Sequence, residues 1–418
     1  MKQNLPILLL FLLFAGRSER LFSQAGQDPD GSPTRLFRIY EDNDFLNAYG
    51  RGTDNAYTNG TRFDLFYTKK RPSRFIIDRL LPKAGDSSVN VFGWGVMQVM
   101  FTPNNLGATA YQSDDYPYSG ALFATHTLYS YNRAKKYDFQ TEVVLGVMGP
   151  ASLAKQTQDL IHGVIQNQKP MGWGNQLGTD ALVNINFTAE KELASWGSSQ
   201  ASHTARSNRS SQTSESLYPA ADAPIIEVIG GARAFAGTML NGLALYPLIR
   251  IGLMNSWFQG FISQNSGKGS HETAKRSKLQ VYFVFKPEAQ IIFSDALLEG
   301  ALFTDGHTYS NKGGNGNGTA GSTTGNTGTG AADTGGGTAG HGASGSGTAA
   351  GGGGANPGAG GAEIHSGPGL STMVYSTSYG AVVAAGHFSI SFTQSANTAM
   401  MKGLYNHEVG NISACYSW

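Results

Sequence analysis

Residues Tyr137–Met148 read YDFQTEVVLGVM, and this stretch decides the fold because two kinds of side chain alternate along it. One face carries mostly apolar residues: Tyr137, Phe139, Thr141, Val143, Leu145 and Val147. The other face begins with polar ones: Asp138, Gln140 and Glu142. Such alternation is typical of a β-strand with one apolar face. The length is close to the ~9–11 residues that a tilted transmembrane strand needs.

Shorter stretches repeat this pattern at 61–67, 181–187 and 388–392. The chain also ends on an alternating stretch, 412–418, whose last residue is a tryptophan. Outer-membrane barrels have an apolar outer face, a polar interior and aromatic residues near both membrane surfaces. The sequence therefore predicts an all-β, antiparallel transmembrane β-barrel, closed by pairing the last strand with a first strand near 36–40. A soluble sandwich or lipocalin-like barrel has the same period and stays open as an alternative.

The composition excludes several classes of protein. Charged residues make up only 14% of the 418 residues, whereas a soluble domain usually has about 25%. A net charge of +1 argues against a general binder of polyanions. The single cysteine, Cys415, excludes a disulfide framework and any metal site with several cysteines.

The N-terminal residues predict export from the cytoplasm. Lys2 precedes the apolar run 5–15 (LPILLLFLLFA), and small and polar residues follow it. This order is typical of a secretory signal peptide, and the run is shorter than the ~20 residues of a membrane-spanning helix. We expect a signal peptide at 1–25 and one barrel domain at 26–418. An uncleaved N-terminal anchor is the alternative.

Two stretches lack the strand pattern. Residues 198–220 are rich in Ser, Thr, Ala and Gln, and they predict a polar loop. Residues 311–368 consist largely of Gly, Ala, Thr and Ser. Because this segment has too few apolar side chains to form a core, we expect a disordered Gly-rich loop. Long loops are compatible with a barrel.

One short helix is predicted among the strands, in 151–168 (ASLAKQTQDLIHGVIQNQ), with Ser152 as its N-cap. Its apolar side would be formed by Leu153, Leu160, Ile161, Val164 and Ile165. Gln158 and His162 are four residues apart, so they share a helix face. Taken alone, His162 is more often a surface histidine than a catalytic one.

A polar cluster lies between the first two predicted strands, in 40–65 (YEDNDFLNAYGRGTDNAYTNGTRFDL). Its carboxylate, amide and hydroxyl oxygens are ligands that suit a hard cation such as Ca²⁺. Asn, Asp and Gly are also common in solvated turns, and that interpretation stays open. The sequence contains no GxSxG, P-loop, HExxH or CxxC motif, so the common serine-hydrolase, nucleotide-binding and zinc signatures are absent.

Several motifs in a fixed order carry a family resemblance. The strongest block is 146–176, which contains GPxxxxxxxQxxxH ending at His162. Other landmarks are Asn43-Asp44, 57–60 (YTNG), Gln98, Thr102-Pro103, 116–120 (YPYSG) and 295–300 (DALLEG). With these motifs, the sequence resembles the outer-membrane lipid A 3′-O-deacylases over most of the chain outside the two loops.

The resemblance implies a barrel of about twelve strands in the bacterial outer membrane, with an inserted helix and the active site near the extracellular rim. It implies a Ca²⁺-dependent enzyme, acting as a monomer, that removes the 3′-linked acyloxyacyl chain from lipid A of lipopolysaccharide. Asn43, Thr58, Gln158 and His162 match catalytic positions of the family, and Asp44 matches a metal-binding position. His162 would take a proton from the attacking water.

This sequence departs from the family pattern at two places. Characterised members carry a functional lysine shortly after the Thr-Pro motif, whereas no lysine lies between Lys83 and Lys135 here. They also carry an acidic residue six positions after the histidine, where this chain has Gln168. Two other functions therefore stay open. One is a phospholipase-type acyl hydrolase, and the other is a non-catalytic barrel that forms a pore or displays its Gly-rich loop.

Overall fold

The structure is a computed structural model that describes residues 33–47, 55–197, 224–266, 279–300 and 368–418. All of these belong to one of the two compact units of the chain, the one that comprises 1–308 and 366–418. Three predicted segments lie outside the described residues: the signal peptide at 1–25, the polar loop at 198–220, and the Gly-rich loop at 311–368 except for its last residue.

Twelve strands form a single closed barrel in the described part of the chain. They are β1 (Arg35–Asn43), β2 (Ala56–Thr68), β3 (Val89–Thr102), β4 (Ser119–Asn132), β5 (Tyr137–Met148), β6 (Asp180–Trp196), β7 (Ile226–Gly237), β8 (Leu240–Leu253), β9 (Leu279–Asp295), β10 (Met373–Ala385), β11 (Phe388–Asn397) and β12 (His407–Ser417). Each strand pairs antiparallel with the next, and β1 pairs with β12. The predicted fold class is confirmed.

The first and last strands close the barrel as the sequence predicts. Phe37 pairs with Tyr416, and Ile39 pairs with Ala414. We call the end of the barrel where β1 ends and β2 begins the upper end, and the opposite end, where β1 begins, the lower end. The longest strands, β6 and β9, have 17 residues each, which exceeds the ~9–11 residues that suffice to cross the membrane.

The outer wall of the barrel is apolar and its interior is polar. Leu145 is 56% exposed on the outer face of β5, while Glu142 points inward and bonds Arg62 at 2.6 Å. Arg62 also contacts Asp64, which pairs with Arg38 at 2.7 Å. Exposed apolar side chains recur on the other strands, among them Phe63, Val96, Ile185, Leu243, Phe283 and Ile390. This arrangement decides between the two predicted fold alternatives, because a soluble barrel does not expose so large an apolar surface.

Side chains fill the interior at two levels. Near the upper end, the Ser119 hydroxyl donates to the carbonyl of Leu297 at 2.6 Å, and Leu297 belongs to an apolar cluster with Phe101 and Phe123. Near the lower end, the ring of Phe261 stacks on Tyr129 with centroids 4.6 Å apart. Because side chains pack the interior in this way, the structure argues against a pore, which was one of the alternative functions left open by the sequence.

Four short α-helices accompany the strands in the described residues, besides four 3₁₀ turns: α1 (Ile76–Leu80), α2 (Ala154–Ile165), α3 (Phe261–Gln264) and α4 (Ala296–Glu299). None of the described helices has the length and apolar character to span a membrane. The predicted helix is α2, but the predicted cap is wrong by one residue. Leu153 occupies the N-cap position with a φ of 60°, and Ser152 ends a preceding 3₁₀ turn, where its hydroxyl donates to Gly149.

Candidate active site

Helix α2 packs against the outer wall of the barrel near the upper end, over β3 and β4. Gly120 of β4 allows the close approach, since a Cβ atom there would lie 2.3 Å from the Cβ of Ala154. Met100 of β3, Ala154 and Trp173 belong to one buried cluster. The side chain of Gln98, also on β3, donates to the carbonyl of Ser152 at 2.7 Å. The helix is thereby fixed to the wall both at the turn that precedes it and along its buried face.

The face of α2 that meets the wall is its polar face. Ala154, Gln158 and His162, spaced four residues apart, are buried, as the predicted shared face requires. The apolar side chains point away from the barrel, and four of them are exposed: Leu153, Leu160, Ile161 and Val164. An apolar side turned away from the protein suits a helix beside a membrane. The polar pair is thus held in a narrow space between helix and wall.

His162 is oriented by a backbone carbonyl. Its Nδ1 lies 2.6 Å from the carbonyl oxygen of Gln168. Because a carbonyl oxygen only accepts hydrogen bonds, Nδ1 carries the proton in the neutral ring, and Nε2 keeps its lone pair. In this tautomer Nε2 is the basic atom of the imidazole, and a basic ring nitrogen can accept a proton from water.

Gln158 is oriented by an indole. The Nε1 atom of Trp173 donates to its Oε1 at 2.7 Å, so the Oε1 and Nε2 atoms of the amide are assigned by chemistry. The Nε2 atom of Gln158 is buried and has no hydrogen-bond partner among the described residues. Buried donors normally have a partner, so an unpaired one requires an explanation, and a catalytic role is one such explanation.

Thr58 lies at an irregularity of β2. The pairing register of β2 with β3 shifts between Tyr57 and Asn59, so Thr58 is the extra residue of a β-bulge. Two residues earlier, buried Ala56 has a φ of 57°, which is rare for an alanine. Bulges redirect side chains. The Thr58 hydroxyl lies 2.6 Å from that of Thr102, which follows Met100 on the same outward row of β3.

Asp44 and Asn43 lie at the upper end of β1, beside β2. Asn43 pairs with Asn59, and its side-chain oxygen accepts from the amide of Phe45 at 2.8 Å, capping the 3₁₀ turn Asp44–Leu46. Asp44 is fully buried, and its Oδ2 accepts from the amide of Asn55 at 2.7 Å. This hydrogen bond links Asp44 to Asn55, two described residues on either side of the stretch 48–54, which lies outside the described residues.

Two groups of predicted residues thus lie on adjacent elements of one region. Gln158 and His162 come from α2, and Asn43, Asp44 and Thr58 come from the paired upper ends of β1 and β2. The strand β3 lies between the groups: Met100 contacts the helix side, and Thr102 contacts Thr58.

The model of one protein family, described as outer membrane protein LpxR, matches residues 7–332. The chain belongs to this family. It is accordingly an outer-membrane protein, as the sequence motifs and the apolar wall predict. A comparison with curated proteins gives no match.

A solved structure supports the fold. LpxR from Salmonella typhimurium is similar with a TM-score of 0.54 and 13% identity, covering 92% of this chain and 100% of that one. The β domain of the Bordetella autotransporter BrkA gives a TM-score of 0.34 and 7% identity, covering 93% of this chain and 100% of that one.

Sequence reasoning missed Trp173, Thr102 and Gly120 as parts of the site. Each lies within a motif that carried the family resemblance, and that was the only signal. Their roles depend on contacts with residues 15 to 44 positions away, or on the approach of a helix, and neither can be read from local sequence.

Replacing Gly120 with valine is expected to lower enzymatic activity about 10²-fold, because a shift of α2 by about 1 Å suffices for such a loss. The added Cβ atom would meet Ala154 and Ser152, neither of which has a flexible side chain that can move away. Gly163→Ala is the matched control, since a Cβ atom there meets nothing within 4 Å. Hydrolysis rates of the folded variants provide the measurement. Equal rates for the two variants would show that the close contact of α2 is unimportant.

Proposed function

We propose that this protein hydrolyses the 3′-linked acyloxyacyl ester of lipid A, acting as a monomer in the outer membrane. The observation that carries the proposal is the buried polar face of α2, which holds Gln158 and His162 against the outer wall. A site on the outer wall lies beside the membrane, where lipid A is found. Membership of the LpxR family supports the same reaction.

His162 is the proposed general base. With Nδ1 donating to the Gln168 carbonyl, Nε2 accepts the proton of a water molecule as that water attacks the ester carbonyl. The same nitrogen can return the proton to the leaving sugar oxygen. No serine nucleophile is required, which is consistent with the absence of a GxSxG motif.

Gln158 is the proposed donor to the oxyanion. Its Oε1 is occupied by Trp173, so its unpaired Nε2 is the atom that faces a ligand. A hydrogen bond from this atom to the ester oxygen strengthens as negative charge develops there. Thr58 and Asn43 are proposed to supply polar contacts around the metal and the head group. The Thr58 hydroxyl lies beside that of Thr102, and Asn43 caps the turn Asp44–Leu46.

Ca²⁺ is the proposed cofactor, and Asp44 is its proposed carboxylate ligand. The donors in this region are oxygens, from the Asp44 carboxylate and the hydroxyls of Thr58 and Thr102, which fits a hard cation. The described residues contain no group of three or more His, Cys, Asp or Glu suited to a metal. Hydroxyl, carbonyl and water oxygens would therefore complete the coordination. Bound there, the cation would polarise the ester carbonyl.

Gln168, which replaces the family's acidic residue, need not weaken the base. The contact to His162 comes from the backbone of Gln168, so the identity of its side chain is secondary. We expect Gln168→Ala and Gln168→Glu each to keep the hydrolysis rate within about threefold of wild type, less than the 10- to 100-fold loss typical of a removed supporting contact. Steady-state rates test this, and a tenfold loss in either variant would assign a role to the side chain.

Mass spectrometry of lipid A from cells that express the chain tests the proposed reaction. We expect the lipid A mass to fall by one acyloxyacyl group. Phospholipids from the same cells should be unchanged, and their conversion to lysophospholipids with intact lipid A would instead support the phospholipase-type alternative. If both lipids remain intact, the non-catalytic barrel is the better account.

A further inference from the structure

A groove lies on the outer wall near the lower end, across β5 to β8. It has a volume of about 650 Å³, within the range of about 300–1,000 Å³ that is usual for sites of small ligands. Small residues form its floor: Ala189, Gly230 and Ala232. Larger apolar side chains form its sides: Phe139, Leu193 and Leu245. Leu193 and Leu245 are 64% and 66% exposed, so they stand up beside the floor and make the surface concave.

A basic recess continues the groove toward the turn between β4 and β5. Its volume is about 610 Å³, and it shares Tyr137 and Lys191 with the groove. Lys135, Lys136 and Lys191 line it. Lys191 donates to the backbone carbonyl of Lys135 and lies 5.9 Å from the ring centre of Tyr137. The ammonium groups thus gather at the lower end of an apolar groove.

The nearby carboxylates do not cancel this charge. Glu192 pairs with Lys136 at 2.6 Å, so one of the three lysines is neutralised. Glu190 also borders the groove, but it lies between Ala189 and Lys191 on β6, so its side chain points to the opposite, inner face of the strand. There its two oxygens accept from Tyr246 at 2.6 Å and from Trp257 at 2.7 Å. Two positive charges, those of Lys135 and Lys191, are left beside the recess.

We propose that the groove and the basic recess together bind an anionic glycerophospholipid from the membrane leaflet at the lower end of the barrel. One acyl chain lies in the groove, and the phosphate lies between Lys135 and Lys191. The occupant must be amphiphilic, because the apolar part is continuous with the membrane-facing wall while the basic part lies at the end of the barrel. Basic pockets beside apolar membrane surfaces are known to bind lipid head groups.

Native mass spectrometry of the full-length protein in mild detergent tests the proposal, with phosphatidylglycerol and phosphatidylethanolamine of identical acyl chains as probes. We expect phosphatidylglycerol to bind about tenfold or more tightly than phosphatidylethanolamine. The double variant Lys135→Gln/Lys191→Gln should lose this preference. Lys402→Gln, an exposed lysine at the upper end, is the charge control and should keep it.

A second variant tests the groove separately from the charge. Ala232→Phe places a ring on the floor and should weaken the binding of both lipids, whereas Ala236→Phe, four residues along the same outer face, should not. Equal binding of the two lipids to wild type would overturn the proposal. So would unchanged binding in both Lys135→Gln/Lys191→Gln and Ala232→Phe, or inorganic phosphate binding as tightly as the lipid. A dimer abolished by Ala232→Phe would assign the groove to a second copy of the chain.

Discussion

The variant His162→Ala is expected to lower the rate of lipid A deacylation by about 10²–10⁴-fold, the usual contribution of a general base. The loss follows from the proposed mechanism, in which Nε2 of His162 is the basic atom and the Gln168 carbonyl holds the ring through Nδ1. The barrel should fold normally, since α2 is an insertion on the outer wall and the strands pair without it. Unheated gel mobility tests folding, and mass spectrometry of lipid A tests the rate.

His387→Ala is the matched control for this experiment. The Nδ1 atom of His387 also lies 2.6 Å from a backbone carbonyl, that of Ser417, but at the lower end of the barrel. We expect this variant to retain the wild-type rate. Substantial deacylation by folded His162→Ala would end the proposed mechanism, and a loss in both variants would point to a general effect on the barrel.

The variant Asp44→Asn is expected to lower activity about 10²-fold or more, because a cation that stabilises the oxyanion is worth several kcal/mol. Asparagine keeps an oxygen that can accept from the amide of Asn55, so the local fold should persist while the charge is lost. Treating wild type with a chelator should produce a similar loss. Added Ca²⁺ should restore wild type fully and Asp44→Asn only at higher concentrations.

Asp42→Asn provides the control for Asp44. The carboxylate of Asp42 accepts from Tyr40 of β1 at 2.8 Å and from Asn411 of β12 at 3.1 Å. No role in metal binding is proposed for this carboxylate. We expect the Ca²⁺ requirement of the Asp42→Asn variant to match that of wild type. Full activity of wild type in chelator would refute the proposed Ca²⁺ dependence. An unchanged Ca²⁺ requirement in Asp44→Asn would show that other residues bind the metal.

Much of the fold could be predicted because alternate residues of a barrel strand face the polar interior and the apolar outside, and their side chains differ accordingly. Glu142 faces the polar interior and Leu145 faces outward, as the period in Tyr137–Met148 predicts. The alternation could not separate a membrane barrel from a soluble one. That distinction depends on the apolar side chains of the whole wall being exposed together, and it requires the three-dimensional structure.

The helix shows both the success and the limit of pattern reasoning. The spacing of Gln158 and His162 correctly placed them on one face. Periodicity alone does not say which face is buried, and in a soluble protein Leu160 and Val164 would be the buried ones. Here they are 66% exposed each, since a helix beside the membrane turns its apolar side away from the barrel.

Other features of the site have no local signal. The bulge at Thr58 follows a left-handed alanine, Ala56, which no propensity favours. The tautomer of His162 depends on the path of the backbone at Gln168, and the amide of Gln158 is oriented by Trp173, fifteen residues away. Long-range packing determines such details, so the sequence motif indicates the residues but not their arrangement.

The most direct test of the central claim uses purified protein, lipid A and Ca²⁺ in detergent micelles prepared with ¹⁸O-labelled water. Mass spectrometry would follow the released acyloxyacyl acid. The proposed mechanism predicts release of this acid by wild type, with one ¹⁸O atom in its carboxyl group, and release at least about 10²-fold slower by His162→Ala. Intact lipid A with wild type, or equal release by both proteins, would contradict it.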